Sequence, residues 1–296
     1  MSLSNRLRGT GVALVTPFTA NSEIDYDALG KVIDYVIQDS IEYVVTLGTT
    51  GETPTLSKEE KTAIVNYTYD KVNGRVPVVV GVGGNNTQEV IEDLEKLPLE
   101  KAIAVLSASP YYNKPSQEGL FQHYKAIAAA TVKPILLYNV PGRTGRNIDA
   151  DTVLRLAHEV DNIAGIKEAC GDMAQCIKIL RDKPEDFFVV SGDDALALPQ
   201  IACGMEGVIS VAANGFPKIF SEMVRLALKS DFKNAKALND KLVDAYEIMF
   251  AENNPAGLKA FLTELGLIEN FVRLPVTPLS SGWHAKAKAY LAKTQR

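Results

Sequence analysis

Lys167 interrupts an apolar run, "IAGIKEAC" (163–170), at a place where the pattern of a buried strand asks for Val or Ile. If the strand has already ended there, the ammonium is simply solvated. If the lysine is held inside, burial favours the neutral amine, which attacks a carbonyl carbon to form a Schiff base. Side chains alternate along a strand. With Ile163 and Gly165 pointing inward, Lys167 points inward too, while Ile166 and Glu168 face the other side and Glu168 reads as a structural partner. Tyr138 lies in the preceding run, "PILLYNVPGRTG" (134–145). Its phenol can pass protons while a carbinolamine forms and collapses, or it can be an ordinary core tyrosine. Arg143, in the same run, can fork onto a substrate carboxylate or serve as a surface charge. In "GTTGE" (48–52) a glycine-flanked threonine pair offers amides and hydroxyls to a carboxylate, although as a motif it is weak. It is not a phosphate loop, and "GVGGNN" (81–86) lacks the third glycine of a dinucleotide fingerprint. His123, His158 and His284 are dispersed, no strand end carries a cluster of His and carboxylates, and no metal site is expected.

Residues from distant parts of a chain meet only if a scaffold collects them. Eight short β-branched runs recur, at 11–18, 43–52, 76–84, 102–112, 134–145, 163–172, 187–194 and 207–215. They are continuously apolar rather than alternating, as in parallel strands covered by helices. Helical patterns such as "DALGKVIDYVIQ" and "SKEEKTAIVNYTYDKV" lie between them, the second with Ser57 and Glu60 at capping-box spacing. Strand–helix alternation implies right-handed βαβ units, and eight of them predict a closed (β/α)8 TIM barrel, with a doubly wound open sheet as the rival. Each run ends in small or polar residues, and in a barrel those ends share one face. Residues 216–293 show only helical patterns, read as the last barrel helix and a C-terminal helical extension. The expected division is a catalytic barrel over 1–230 and a helical domain over 231–296.

A net charge of −5, with 31 basic and 36 acidic residues, leaves no electrostatic footprint for nucleic acid. No segment approaches the ~20 apolar residues of a membrane span, and the first residues lack the apolar core of a signal peptide. Three cysteines without a C-x-x-C pair suit a reducing compartment, so a soluble cytoplasmic protein is expected.

The motifs "GTTGE", "SASPYYNKPSQEGL", "YNVPGRTG", "GIKEACGD", "SGDD" and "GVISVAAN", in this order, resemble the dihydrodipicolinate synthase family. The wider group is the class I pyruvate aldolases, which also contains N-acetylneuraminate lyase. The similarity runs from about residue 8 to the C-terminal helices, and the arginine after "YNVPG" separates the synthases from the keto-sugar lyases. The resemblance implies a (β/α)8 barrel with C-terminal helices and a lyase that condenses pyruvate with aspartate 4-semialdehyde, the committed step towards diaminopimelate and lysine. It implies that Lys167 forms the pyruvate imine and that Tyr138, Thr49 and Tyr112 relay protons, Tyr112 reaching over from a neighbouring subunit. Thr50 then helps hold the pyruvate carboxylate, and Arg143 binds the carboxylate of the semialdehyde. Gly192 and Ile209 orient the lysine and the pyruvate through backbone groups. No cofactor is implied, because the lysine is itself the electron sink. A homotetramer built as a dimer of dimers is expected. In lysine-sensitive members an effector site at the dimer interface uses positions matching Asn85, Glu89 and Tyr111. It also uses two positions that are commonly histidine and are here Lys58 and Lys61. Two cations facing a ligand with two ammonium groups predict weak feedback. The alternatives are a sister aldolase acting on a keto sugar acid and a barrel that has lost catalysis.

Overall fold

The computed structural model describes residues 3–39 and 41–294. Eight parallel strands close into a barrel in sequence order. They are β1 (Gly9–Ala13), β2 (Tyr43–Thr46), β3 (Val78–Gly81), β4 (Ala104–Ala108), β5 (Ile135–Asn139), β6 (Ile163–Glu168), β7 (Phe188–Ser191) and β8 (Gly207–Ser210). Seven of the runs predicted as strands each contain one of them, and the run 11–18 overlaps the end of β1, which starts two residues earlier. Around the barrel run α1 (Leu3–Leu7), α2 (Tyr26–Gln38), α3 (Lys58–Val72), α4 (Thr87–Lys96), α5 (Gln117–Ala129), the short α6 (Pro141–Thr144), α7 (Ala150–Glu159), α8 (Met173–Asp182), α9 (Ala197–Ala202) and α10 (Pro217–Leu228). Three more helices follow: α11 (Phe232–Phe250), α12 (Ala256–Glu264) and α13 (Ser281–Thr294). The TIM barrel with C-terminal helices is therefore the fold, and the open-sheet rival is excluded by closure of β1 on β8.

Two apolar layers result from strands buried on both faces. Outward-facing Val44, Val80, Val105, Leu137, Ile166 and Val189 pack against the helices. Inward-facing Tyr43, Val45, Val79, Leu136, Phe188 and Ile209 fill the barrel, together with Leu7 from α1. The Tyr43 ring occupies space that only a glycine at position 11 leaves open, since a Cβ there would lie 2.2 Å from the ring. Helix starts follow local chemistry. The Ser57 hydroxyl accepts from the Glu60 amide while the Glu60 carboxylate accepts from the Ser57 amide, the predicted capping box.

Two expectations need correction. Ile163 does not point inward but belongs to the outer layer. A register shift pairs Ile135 with Ile163 and Leu136 with Gly165, so one extra residue is accommodated at the start of β6. Gly165 and Lys167 recover the inward phase only after that irregularity. The second correction concerns residues 267–280, read as helical, which form an irregular segment between α12 and α13. Pro275 and Pro278 lack the amide that a helix interior needs. Arg273 ties the segment down with a bidentate contact to Glu60 and bonds to the carbonyls of Ser22 and Thr55.

Of the dispersed histidines, His158 bonds the Asp182 carbonyl and His284 pairs with Glu264, both as structural contacts. His123 is buried on α5, with Nδ1 2.9 Å from the Thr87 hydroxyl and Nε2 without a partner among the described residues. Burial pushes its pKa down to about 4. A folded value below the unfolded one means that its stabilising contribution is complete above pH ~6.5 and is lost as pH falls towards 4. Relative to His123→Phe, the parent protein should lose about 2 kcal/mol of stability between pH 7 and 5. Denaturant titrations of the two proteins at both pH values check this, and parallel pH profiles would contradict it.

Candidate active site

Lys167 stands at the C-terminal end of β6, on the face where barrel sites are built, and is only 4% exposed. It pairs in register with Tyr138 on β5, and its Nζ lies 4.2 Å from the centre of the tyrosine ring. Both line a cavity of about 710 Å³ at the barrel mouth. Gly192, in the loop after β7, lines it as well. A Cβ at Gly192 would come within 2.8 Å of the Lys167 Cε and 2.7 Å of the Ala169 Cβ. Glycine is required here because the lysine stem runs across the backbone. Ile209 lies lower, in the inner apolar layer beneath the cavity.

Glu168 takes the opposite face, as its phase requires. Its carboxylate, fully buried, accepts from the Asn139 side chain at 2.9 and 3.1 Å, from the Cys170 amide at 2.8 Å and from Gln175 at 3.1 Å. Burial raises its pKa, and these donors work against that rise. The network clamps the ends of β5 and β6, and so the Tyr138–Lys167 pair, from outside the barrel.

The loop after β2 supplies the opposite wall. Residues Thr49–Gly51 form one turn of 3-10 helix, and Thr49 and Thr50 both line the cavity. Thr49 also lines a side chamber of about 360 Å³, which shares Tyr138 and Arg143 with the main cavity. Arg143, on α6, sits at the junction and is exposed. Its Nη2 donates to the Asn253 side chain at 2.8 Å and to the Asn254 carbonyl at 3.4 Å.

The remaining candidates are placed elsewhere. Tyr112 lines neither chamber of its own chain, is 90% exposed and has a left-handed φ of 70°. Among the effector candidates, Lys61 and Tyr111 share the side chamber, whereas Asn85, Glu89 and Lys58 do not line it. Lys58 Nζ lies 3.9 Å from an Asp93 carboxylate oxygen, which offsets one of the two charges expected to repel a cationic ligand. Among the described residues, no three His, Cys, Asp or Glu side chains are grouped to hold a metal ion.

Sequence reasoning missed the part of the mouth made by the C-terminal helices. Tyr246, Glu247 and Phe250 of α11 and Asn253 and Asn254 after it line the main cavity. Nothing local marks them, because an α11 face turned to a cavity and one turned to solvent have the same helical pattern. Beneath the "GTTGE" loop lies a second unforeseen feature. Glu52, 3% exposed, meets the fully buried Lys259 of α12 at 2.6 Å.

A lysine and a tyrosine on adjacent strand ends, under a mouth with two threonines and an arginine, suit imine chemistry on a small keto acid. The family model described as "Dihydrodipicolinate synthetase family" matches residues 6–294. The chain belongs to the dihydrodipicolinate synthetase family. Within that family it is 51% identical, over 92% of each chain, to the 4-hydroxy-tetrahydrodipicolinate synthase of Parabacteroides distasonis. It is 50% identical to that of Phocaeicola vulgatus, over 98% of this chain and 97% of the relative. A dihydrodipicolinate synthase from Acinetobacter baumannii, described as chloride inhibited and complexed with pyruvate, superposes with a TM-score of 0.95 at 41% identity. That superposition covers 98% of this chain and 99% of the other.

Proposed function

We propose that the protein is a lyase that condenses pyruvate with L-aspartate 4-semialdehyde to 4-hydroxy-tetrahydrodipicolinate, the committed step towards diaminopimelate and lysine. The observation that carries this reading is the buried Lys167 amine beside the Tyr138 ring on the cavity floor. In the first step the Lys167 amine attacks C2 of pyruvate. The carbinolamine loses water, with Tyr138 and Thr49 passing protons, and an imine remains. The protonated imine acidifies the adjacent methyl: Tyr138 takes a methyl proton, the C–H electron pair becomes the new C=C bond, the C=N pair moves to nitrogen, and an enamine forms. The enamine carbon attacks the aldehyde of the second substrate. Finally the amine of that substrate attacks the imine carbon, closes the ring and expels Lys167 unchanged. Thr50 holds the pyruvate carboxylate, Arg143 that of the semialdehyde, and Gly192 and Ile209 shape the backbone around the lysine.

The test is a coupled assay with pyruvate and aspartate semialdehyde. Product formation from this pair supports the reading, and turnover only with keto sugar acids would replace it with the lyase alternative. Arg143 supplies the discriminating residue. Arg143→Ala should lower kcat/KM for the semialdehyde roughly ten- to a hundredfold, the ~1.5–3 kcal/mol of a charge-assisted bond, while pyruvate trapping is little changed. Equal loss with both substrates would contradict the assignment.

The 90% exposure of Tyr112, and a side chamber beside Thr49 and Tyr138, support donation of this phenol across a homo-oligomer interface, in a tetramer built as a dimer of dimers. Tyr112→Phe and Lys167→Ala proteins, each inactive or poor alone, should regain activity when their subunits are exchanged. Mixed oligomers without recovery would count against a shared site. Residues 1–230 are assigned to the catalytic barrel and 231–296 to the helical domain, a boundary that falls between α10 and α11. Free Cys170, Cys176 and Cys203 support a cytoplasmic setting.

A further inference from the structure

We propose that Asn254 is a positioning residue for the pyruvate-carboxylate subsite, its side-chain amide committing the Thr50 hydroxyl to donate into the cavity. The inference rests on the function proposed above.

A threonine hydroxyl carries one hydrogen and can accept as well. Asn254 Nδ2 donates to Thr50 Oγ1 at 3.0 Å. Among the described residues Thr50 Oγ1 donates to no protein acceptor, although Thr50 is only 2% exposed and lines the cavity. With its acceptor side occupied, its hydrogen is left for a ligand oxygen, the geometry a carboxylate needs. Turned over, the Asn254 amide would take that hydrogen and leave the subsite without its donor.

The segment carrying Asn254 has little freedom to turn. Asn254 is 6% exposed, and its Oδ1 is buried without a partner among the described residues. Three residues on, Gly257 packs so closely that a Cβ would lie 2.3 Å from the Met249 carbonyl oxygen. Two residues further, Lys259 is held against Glu52, the residue that ends the Thr49–Gly51 turn, and donates to the Phe271 carbonyl at 2.9 Å. The pair thus joins the two chain segments whose side chains meet at Thr50. The same segment accepts Arg143 through Asn253 Oδ1 and the Asn254 carbonyl. It therefore bridges the subsites assigned to the two carboxylates.

The experiment is a double-mutant cycle of Thr50→Val and Asn254→Ala, with the isosteric Asn254→Asp as a further variant. The readout is the pyruvate concentration that half-saturates borohydride trapping on Lys167, with thermal melting as the control for folding. Each single substitution should raise that concentration about tenfold, and the double no further than the worse single. Asn254→Asp should raise it at least as much, because a carboxylate can only accept from Thr50. The KM for the semialdehyde should change less than twofold in Thr50→Val. Independent, multiplying effects, or half-saturation unchanged in either folded Asn254 variant, would overturn the inference. A parent protein that traps no pyruvate would remove the functional reading itself, and with it this one. Trapping in the parent that is indifferent to Asn254 removes only the inference.

Discussion

Lys167→Ala should trap no pyruvate under borohydride and should lose turnover by at least ~10³-fold, while melting as a folded protein. The reason is chemical. Without the amine there is no imine, and without the imine nitrogen nothing acidifies the pyruvate methyl. On the proposed roles Thr50 and Arg143 would still bind the two carboxylates, so some acceleration over water should survive, but by a route that lacks the covalent step. Folding should tolerate the change, because among the described residues Lys167 has no carboxylate partner to strand and its Nζ meets the Tyr138 ring at the cavity floor. Intact mass after pyruvate and borohydride decides the matter. The parent should gain one pyruvate-derived adduct on the peptide containing Lys167. An adduct on another lysine, or one that persists in Lys167→Ala, would refute the assignment.

Lys259→Ala should destabilise the protein by about 3–5 kcal/mol, the usual consequence of leaving one member of a buried ion pair alone. Lys259 is fully buried, with Nζ 2.6 Å from the Glu52 carboxylate, 2.9 Å from the Phe271 carbonyl and 4.3 Å from the centre of the Phe18 ring. Burial pushes its pKa down to about 8, and Glu52 opposes that fall. Removing the ammonium strands a carboxylate that is 3% exposed beneath the "GTTGE" loop. Glu52→Gln with Lys259→Met removes both charges and should recover much of the loss, since Gln can still accept from the Arg273 amide that Glu52 Oε2 now meets at 2.9 Å. Denaturant midpoints of the parent and the two variants test this. A Lys259→Ala protein within about 1 kcal/mol of the parent would mean that water reaches Glu52 and that the pair adds little.

Much of the barrel is legible in the amino-acid order, because its signals are local or periodic. Strands covered on both faces must be apolar throughout, which marks each of them. Ser57 and Glu60 announce the start of α3 because both partners of the cap lie within one turn. The inward phase of Lys167 and the outward phase of Glu168 follow from strand alternation. Even so, the count from Ile163 reached the right answer only because the irregularity beside it lies before Gly165.

What the order of residues determined by itself was the eightfold alternation, the chemistry of a lone inward lysine and the gathering of polar residues at one end of the strands. Tertiary structure decided what meets those residues. The missing Cβ of Gly192 matters only because Lys167 crosses it, the C-terminal mouth of the cavity exists only once α11 is laid over the barrel, and Glu52 finds Lys259 only in the closed fold. Periodicity reports which face of an element avoids water, within a few residues. It carries no record of which distant element covers that face, and a buried charge or a shared hydroxyl is settled by that second, non-local choice.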